Sequence, residues 1–127
     1  MARNKKQIWV VKIGSSLLTN DGRGIDNKNI TLWAEQIVKL KNKNIDIVLV
    51  SSGAIAEGVK RMKWKERPKD IHKLQAAAAI GQMGLIQSYE TIFSKFKVHT
   101  AQILLTHDNL TNEFRYKNIS CPLFNLL

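Results

Sequence analysis

Apolar residues recur along this chain with two different spacings. Ile8 to Ile13 (IWVVKI) is a β-branched run interrupted only by Lys12 and closed by Gly14, the pattern of a strand buried in a parallel sheet. Gly14 to Gly24, with Ser15, Ser16, Asn20, Asp21 and Gly22, has the composition of a loop. A helix is then expected from Asp26 or Asn27, either of which can cap it. Ile30, Trp33, Ala34, Ile37, Val38 and Lys41 fall on one face of that helix, and Asn44, tolerant of left-handed angles, marks its end.

Ile45 to Val50 (IDIVLV) reads as a second strand, followed by Ser51-Ser52-Gly53 and a small-residue helix from Ala54 to Arg61. Lys63 to Asp70, with Pro68, is a charged linker. A long helical stretch runs from about Ile71 to Phe96, with Gly81 and Gly84 as its weak points, and places Leu85, Tyr89, Ile92, Phe93 and Phe96 on one stripe. Val98 to Leu105 (VHTAQILL) is expected to be a third strand, with Thr106 to Asn109 as its exit loop. Strands alternating with helices predict an α/β fold around a parallel sheet. Leu123, Phe124, Leu126 and Leu127 crowd four large apolar side chains into the last five positions, which predicts an element whose packing partner lies outside this chain.

The 127 residues are 44% hydrophobic, enough for one domain or a large piece of one. No apolar run is long enough for a membrane span. The basic start, Met1 to Lys6, imitates a signal peptide, but Lys12 cuts the apolar run behind it too early for an export segment. Cys121 is the only cysteine, so no internal disulfide forms, and the expected compartment is the cytoplasm. A net charge of +10 raises nucleic acid as a partner. The lysines are scattered at the ends of apolar segments, however, which favours a solvated surface over a nucleic-acid face.

In a parallel sheet, ligands gather where the carboxyl ends of strands meet helix N-termini. Two such ends carry candidate chemistry. Lys12 precedes Gly14, Ser15 and Ser16, where a glycine turn lets backbone N–H groups approach a phosphate and the serines add donors. An ordinary turn beside a lysine reaching out to solvent fits the segment equally well. At the second end, Ser52 is expected to cap the following helix, with Gly53 and Ala54 leaving first-turn N–H groups open to an anion; a plain serine cap is the simpler reading. Gly58 inside that helix suggests close backbone packing, and the alanines of Gln75 to Gln82 (QAAAAIGQ) suggest tight helix packing in the core or at a subunit contact. His72, His99 and His107 lack metal-site spacing, and Cys121 lacks an activating neighbour. No Walker A spacing occurs.

Five segments, in order, resemble the glutamate-kinase branch of the amino-acid kinase family: Val10 to Ser16, Val50 to Gly58, Gln75 to Gln82, Leu104 to Thr106, and Arg115 to Asn118. The resemblance implies a three-layer α/β/α sandwich around a mostly parallel sheet, present here in part. It implies ATP-dependent phosphorylation of the γ-carboxylate of L-glutamate, the opening step of proline synthesis, with ATP and Mg²⁺ and with a homo-oligomer for the complete protein. Lys12 then matches the lysine that neutralises the transferring phosphoryl group. Gly14, Ser15 and Ser16 match the phosphate loop, and Ser52, Gly53 and Ala54 match the glutamate-binding segment. Ile119 to Pro122 departs from the family pattern, and Pro122 is expected to disturb a helix. The family's later acidic and amide residues, its second lysine and its base pocket fall after residue 127, so this chain alone is expected not to bind ATP productively. Relatives acting on acetylglutamate, carbamate or nucleoside monophosphates are the neighbouring alternatives, and a non-catalytic basic binding module is the alternative from another class.

Overall fold

The computed structural model describes residues 6–127; the signal-like start through Lys5 lies outside the described residues. Strands β1 (Gln7–Ile13) and β2 (Ile45–Ser51) pair in parallel, with Val10 opposite Val48 and Ile13 opposite Ser51. The connection between them contains α1 (Ser15–Leu18) and α2 (Asn27–Lys41). Helix α2 begins where the sequence places it. The Asp26 carboxylate accepts hydrogen bonds from the backbone N–H of Lys28 and Asn29, both at 3.1 Å, covering two orphan donors of the first turn. Its far end passes through Asn44 at φ 64°, the left-handed turn that feeds β2.

Helices α3 (Ala54–Arg61) and α4 (Ile71–Ser94) follow β2 and form the most extensive helix contact in the fold. A Cβ on Gly58 would overlap the Ala77 carbonyl, and one on Gly81 would overlap the Ala54 carbonyl. The two backbones therefore touch, which explains both the glycine in α3 and the small residues of α4. Helix α4 runs unbroken through Gly81 and Gly84, both buried, because packing offsets the ~1 kcal/mol that glycine costs in a helix.

The core lies on one face of the sheet. Ile13, Leu18, Ile30, Ala34, Leu85, Tyr89, Ile92 and Phe93 form it, with Trp33, Ile37, Leu49, Phe96 and Val98 packed around the edge. The apolar stripes of α2 and α4 thus bury as their spacing predicts. Helices α5 (His107–Thr111) and α6 (Glu113–Leu126) pack on one another and bury no residue completely. Phe124 and Leu126 are open to solvent.

Several expectations need correction. Strand β1 is not buried throughout: Val10 is 68% exposed, and only Ile13 is buried. A strand alternates faces, so Ile8, Val10 and Lys12 point away from the core on which Ile13 rests. Residues 98–105 are not a strand, since among the described residues the sheet consists of β1 and β2, and neither pairs with that segment. Val98 packs at the core edge, while Leu104 and Leu105 are exposed. The stretch after Gly14 is not loop alone, because α1 occupies its first turn. Finally, α6 continues through Pro122. The carbonyl that proline leaves without a donor belongs to Asn118, an exposed residue whose oxygen water can serve.

Candidate functional site

Because Ile13 is paired with Ser51, the two strands finish side by side, and the chain leaves both toward helices. The Ser52 N–H donates to the Ile13 carbonyl at 3.3 Å, extending the ladder by one bond beyond the strands. The Ser52 hydroxyl lies 3.4 Å from the same oxygen, a long contact. Gly14 is the N-cap of α1 and Gly53 the N-cap of α3. The structure therefore brings Gly14, Ser15 and Ser16 beside Ser52, Gly53 and Ala54, six of the seven candidate residues, at one edge of the sheet.

Each end has a local physical cause. Gly53 turns the chain at φ 108°, a conformation that disfavours any side chain, and this sharp turn starts α3 immediately after the strand. Leu18 and Thr19 pack onto it: a Cβ at Gly53 would stand 3.0 Å from Leu18 Cδ2 and 3.3 Å from Thr19 Cγ2. Both side chains are fully buried, so α1 is wedged against the second turn. Thr19 also knits its own loop. Its hydroxyl donates to the Ser15 carbonyl at 2.7 Å and accepts from the Gly22 N–H at 3.1 Å. Ser15 and Ser16 remain exposed on the outer side of this turn, and Gly14 is half-buried.

Two expectations fail here. Ser52 does not cap α3; Gly53 holds the cap position with no side-chain bond, and the Ser52 hydroxyl faces back toward Ile13. One residue of offset decides this, because the left-handed turn at Gly53 places Ser52 still in the extended strand exit. Lys12, in turn, is exposed on the sheet face away from the core, opposite Val50 in the ladder. A lysine inside a buried strand would carry a desolvation cost unless an anion lay close, and that cost does not arise in this structure. Its position two residues before Gly14 is unchanged.

Two residues absent from the sequence-derived set contact these segments. Tyr89 reaches from α4 to the end of β2, where its hydroxyl shares a 2.9 Å hydrogen bond with the Ser51 hydroxyl. Burial pushes its phenol above the ordinary value, and the bond to Ser51 acts more weakly in the opposite direction. The Ser51 hydroxyl also contacts the Ser52 carbonyl at 3.2 Å. Glu57, buried in α3, accepts from the Ile25 N–H at 3.2 Å and from Arg61 Nε at 2.7 Å. The i, i+4 spacing of Glu57 and Arg61 was readable; the link to Ile25, 32 positions away, was not.

The amino acid kinase family model matches residues 7–127. The chain belongs to the amino acid kinase family. Among curated members it is 59% identical over 118 residues to a glutamate 5-kinase of Nitrosospira multiformis, covering 93% of this chain and 32% of that protein. It is 54% identical over 123 residues to a glutamate 5-kinase of Hydrogenovibrio crunogenus, covering 97% of this chain and 33% of that one. A third, from Alcanivorax borkumensis, is 52% identical over 122 residues. The chain spans about a third of the length of these curated relatives (32% of the first, 33% of the second). Among the described residues, no helix is long and apolar enough to cross a membrane.

Proposed function

We propose that the protein carrying this chain transfers the γ-phosphoryl group of ATP to the γ-carboxylate of L-glutamate, forming glutamyl 5-phosphate and ADP in the cytoplasm. The observation that supports this most is the meeting of the Gly14 turn and the Ser52-Gly53-Ala54 turn at adjacent parallel strand ends. It occurs in a chain 59% identical to a glutamate 5-kinase. A carboxylate oxygen attacks the γ-phosphorus, the bond to the bridging oxygen breaks, and that oxygen leaves on ADP. The attacking carboxylate is already ionised at neutral pH, so the reaction asks for no general base. What it asks for is alignment and charge stabilisation on the equatorial oxygens.

In this reading, the backbone N–H groups of the Gly14 turn, with Ser15 and Ser16, hold phosphate oxygens. The N-terminal turn of α3, entered through Ser52, Gly53 and Ala54, holds the substrate carboxylate. Lys12 supplies positive charge to the transferring group. Its exposed side chain gives it the reach of a flexible arm. No group of three or more His, Cys, Asp or Glu suited to a metal occurs among the described residues. Under this proposal Mg²⁺ arrives bound to the phosphates of ATP.

The test joins the 127-residue chain to the remaining two-thirds of the Nitrosospira relative and measures ADP release with and without glutamate. Glutamate-dependent turnover that traps as the hydroxamate supports the reading. Preference for acetylglutamate or carbamate, or ADP release indifferent to glutamate, refutes it. The chain on its own is expected to show no such turnover.

A further inference from the structure

The loop after β1 and helix α3 come from different strand ends, yet a buried carboxylate joins them. Glu57 is 7% exposed and divides its two oxygens: Oε2 accepts the Ile25 N–H at 3.2 Å, and Oε1 accepts Arg61 Nε at 2.7 Å. Ile25 closes the segment that starts at Gly14, immediately before the Asp26 cap of α2. The Lys60 side chain fills the space a Cβ would take at Gly24, so a second residue of α3 lies across the same stretch. Midway along that segment, Leu18 and Thr19 press on Gly53.

The segment is thus tied to α3 at two points, by packing at its middle and by a charge-assisted hydrogen bond at its close. A buried carboxylate with one of its two acceptors spent on a distant backbone N–H is an expensive choice for helix stability alone, since a surface pair with Arg61 would serve that purpose. We propose that Glu57 is a positioning residue, holding the Gly14 turn and the Ser52-Gly53-Ala54 turn at one fixed separation. Under the kinase reading, on which this role rests, that separation sets the distance between donor phosphate and acceptor carboxylate, and such alignment is worth orders of magnitude in rate.

The test has a structural arm and a kinetic arm. In the 127-residue chain, amide hydrogen exchange reads the Ile25 N–H directly. It should be protected in the unmodified chain and exchange at least ~10-fold faster in Glu57→Met, which keeps the volume and removes the acceptor. Glu57→Gln, which retains an acceptor, should restore most of the protection. An Ile25 amide that exchanges at the rate of an open loop in the unmodified chain overturns the proposal without any variant. In the joined enzyme, Glu57→Met should lower kcat ~10-fold or more at temperatures well below its Tm, and Glu57→Gln should recover most of it. Lost protection with unchanged kcat and KM would leave Glu57 a structural residue and overturn the positioning role. If the unmodified joined enzyme does not phosphorylate glutamate at all, the kinase reading has failed, and with it the catalytic role of Glu57. The exchange arm separates that result from failure of the tie itself.

Discussion

Tyr89→Phe is the most incisive perturbation of the fold behind the candidate site. The ring is buried, stands 6.4 Å between centroids from Phe93 at 32°, and would stay in place as phenylalanine. What disappears is the 2.9 Å bond between its hydroxyl and the Ser51 hydroxyl. The Ser51 hydroxyl keeps its contact with the Ser52 carbonyl and is not left without a partner, so the cost is that of one neutral hydrogen bond, about 1 kcal/mol. For a domain of this size that corresponds to a Tm lower by about 4 °C. The pH dependence gives a second check. The folded state raises the phenol pKa above the ordinary 10.0, so folded protein holds that proton more tightly than unfolded chain does. Stability from this group is complete below pH 10 and falls as pH rises through the raised value. Phenylalanine has no such proton to lose. Thermal or urea unfolding followed by circular dichroism at neutral pH and again above pH 10 should show the gap between the two proteins narrowing at high pH. A gap that is absent at neutral pH, or constant across the range, would refute the assignment of Tyr89 as a buried neutral donor–acceptor at the end of β2.

Three other perturbations probe separate parts of the structure. Gly58→Ala sets a methyl on the Ala77 carbonyl of the facing helix, and overpacking of this kind should cost about 1–3 kcal/mol; an unchanged urea midpoint would show that the α3–α4 backbones do not touch. Asp26→Ala removes the acceptor for Lys28 and Asn29 and should cost ~1 kcal/mol in the same assay, with an unaffected midpoint arguing against that cap. In the joined enzyme, the proposed role of Lys12 in phosphoryl charge stabilisation predicts that Lys12→Ala reduces kcat strongly while changing the glutamate KM less; an unchanged kcat would remove Lys12 from the transition state.

The sequence disclosed whatever depended on local chemistry and periodicity. Helix α2, its Asp26 cap, the turn at Asn44, helix α3 and the buried stripe of α4 all follow from spacing and capping residues. The place of Gly14 beside Ser52 follows as well, since it needs only that two consecutive strands pair in parallel. Long-range matters were hidden. Whether residues 98–105 form a strand depends on a ladder partner, and an apolar pattern does not reveal that. The exposure of Lys12 depends on which face of β1 the core selects. The Glu57–Ile25 and Tyr89–Ser51 bonds join residues 32 and 38 positions apart, with nothing local to signal either.

Under the kinase reading, the exposure of Lys12 shifts the weight of the proposed site onto its backbone. A lysine amine on a four-carbon stem can reach a phosphate from several strand positions, and its charge acts over distance. Backbone N–H donors have no such freedom: they aim correctly only if Gly14 and Gly53 sit in one register. Moving β2 by one residue against β1 would carry Ser51 away from Ile13, break the Ser52 bond to the Ile13 carbonyl, separate Ser51 from the Tyr89 hydroxyl, and turn Leu49 away from the core. The core packing that stabilises the fold is therefore the same packing that fixes the separation of the two turns. In the joined enzyme, substitutions that loosen this register should lower turnover at temperatures where the fold is still intact.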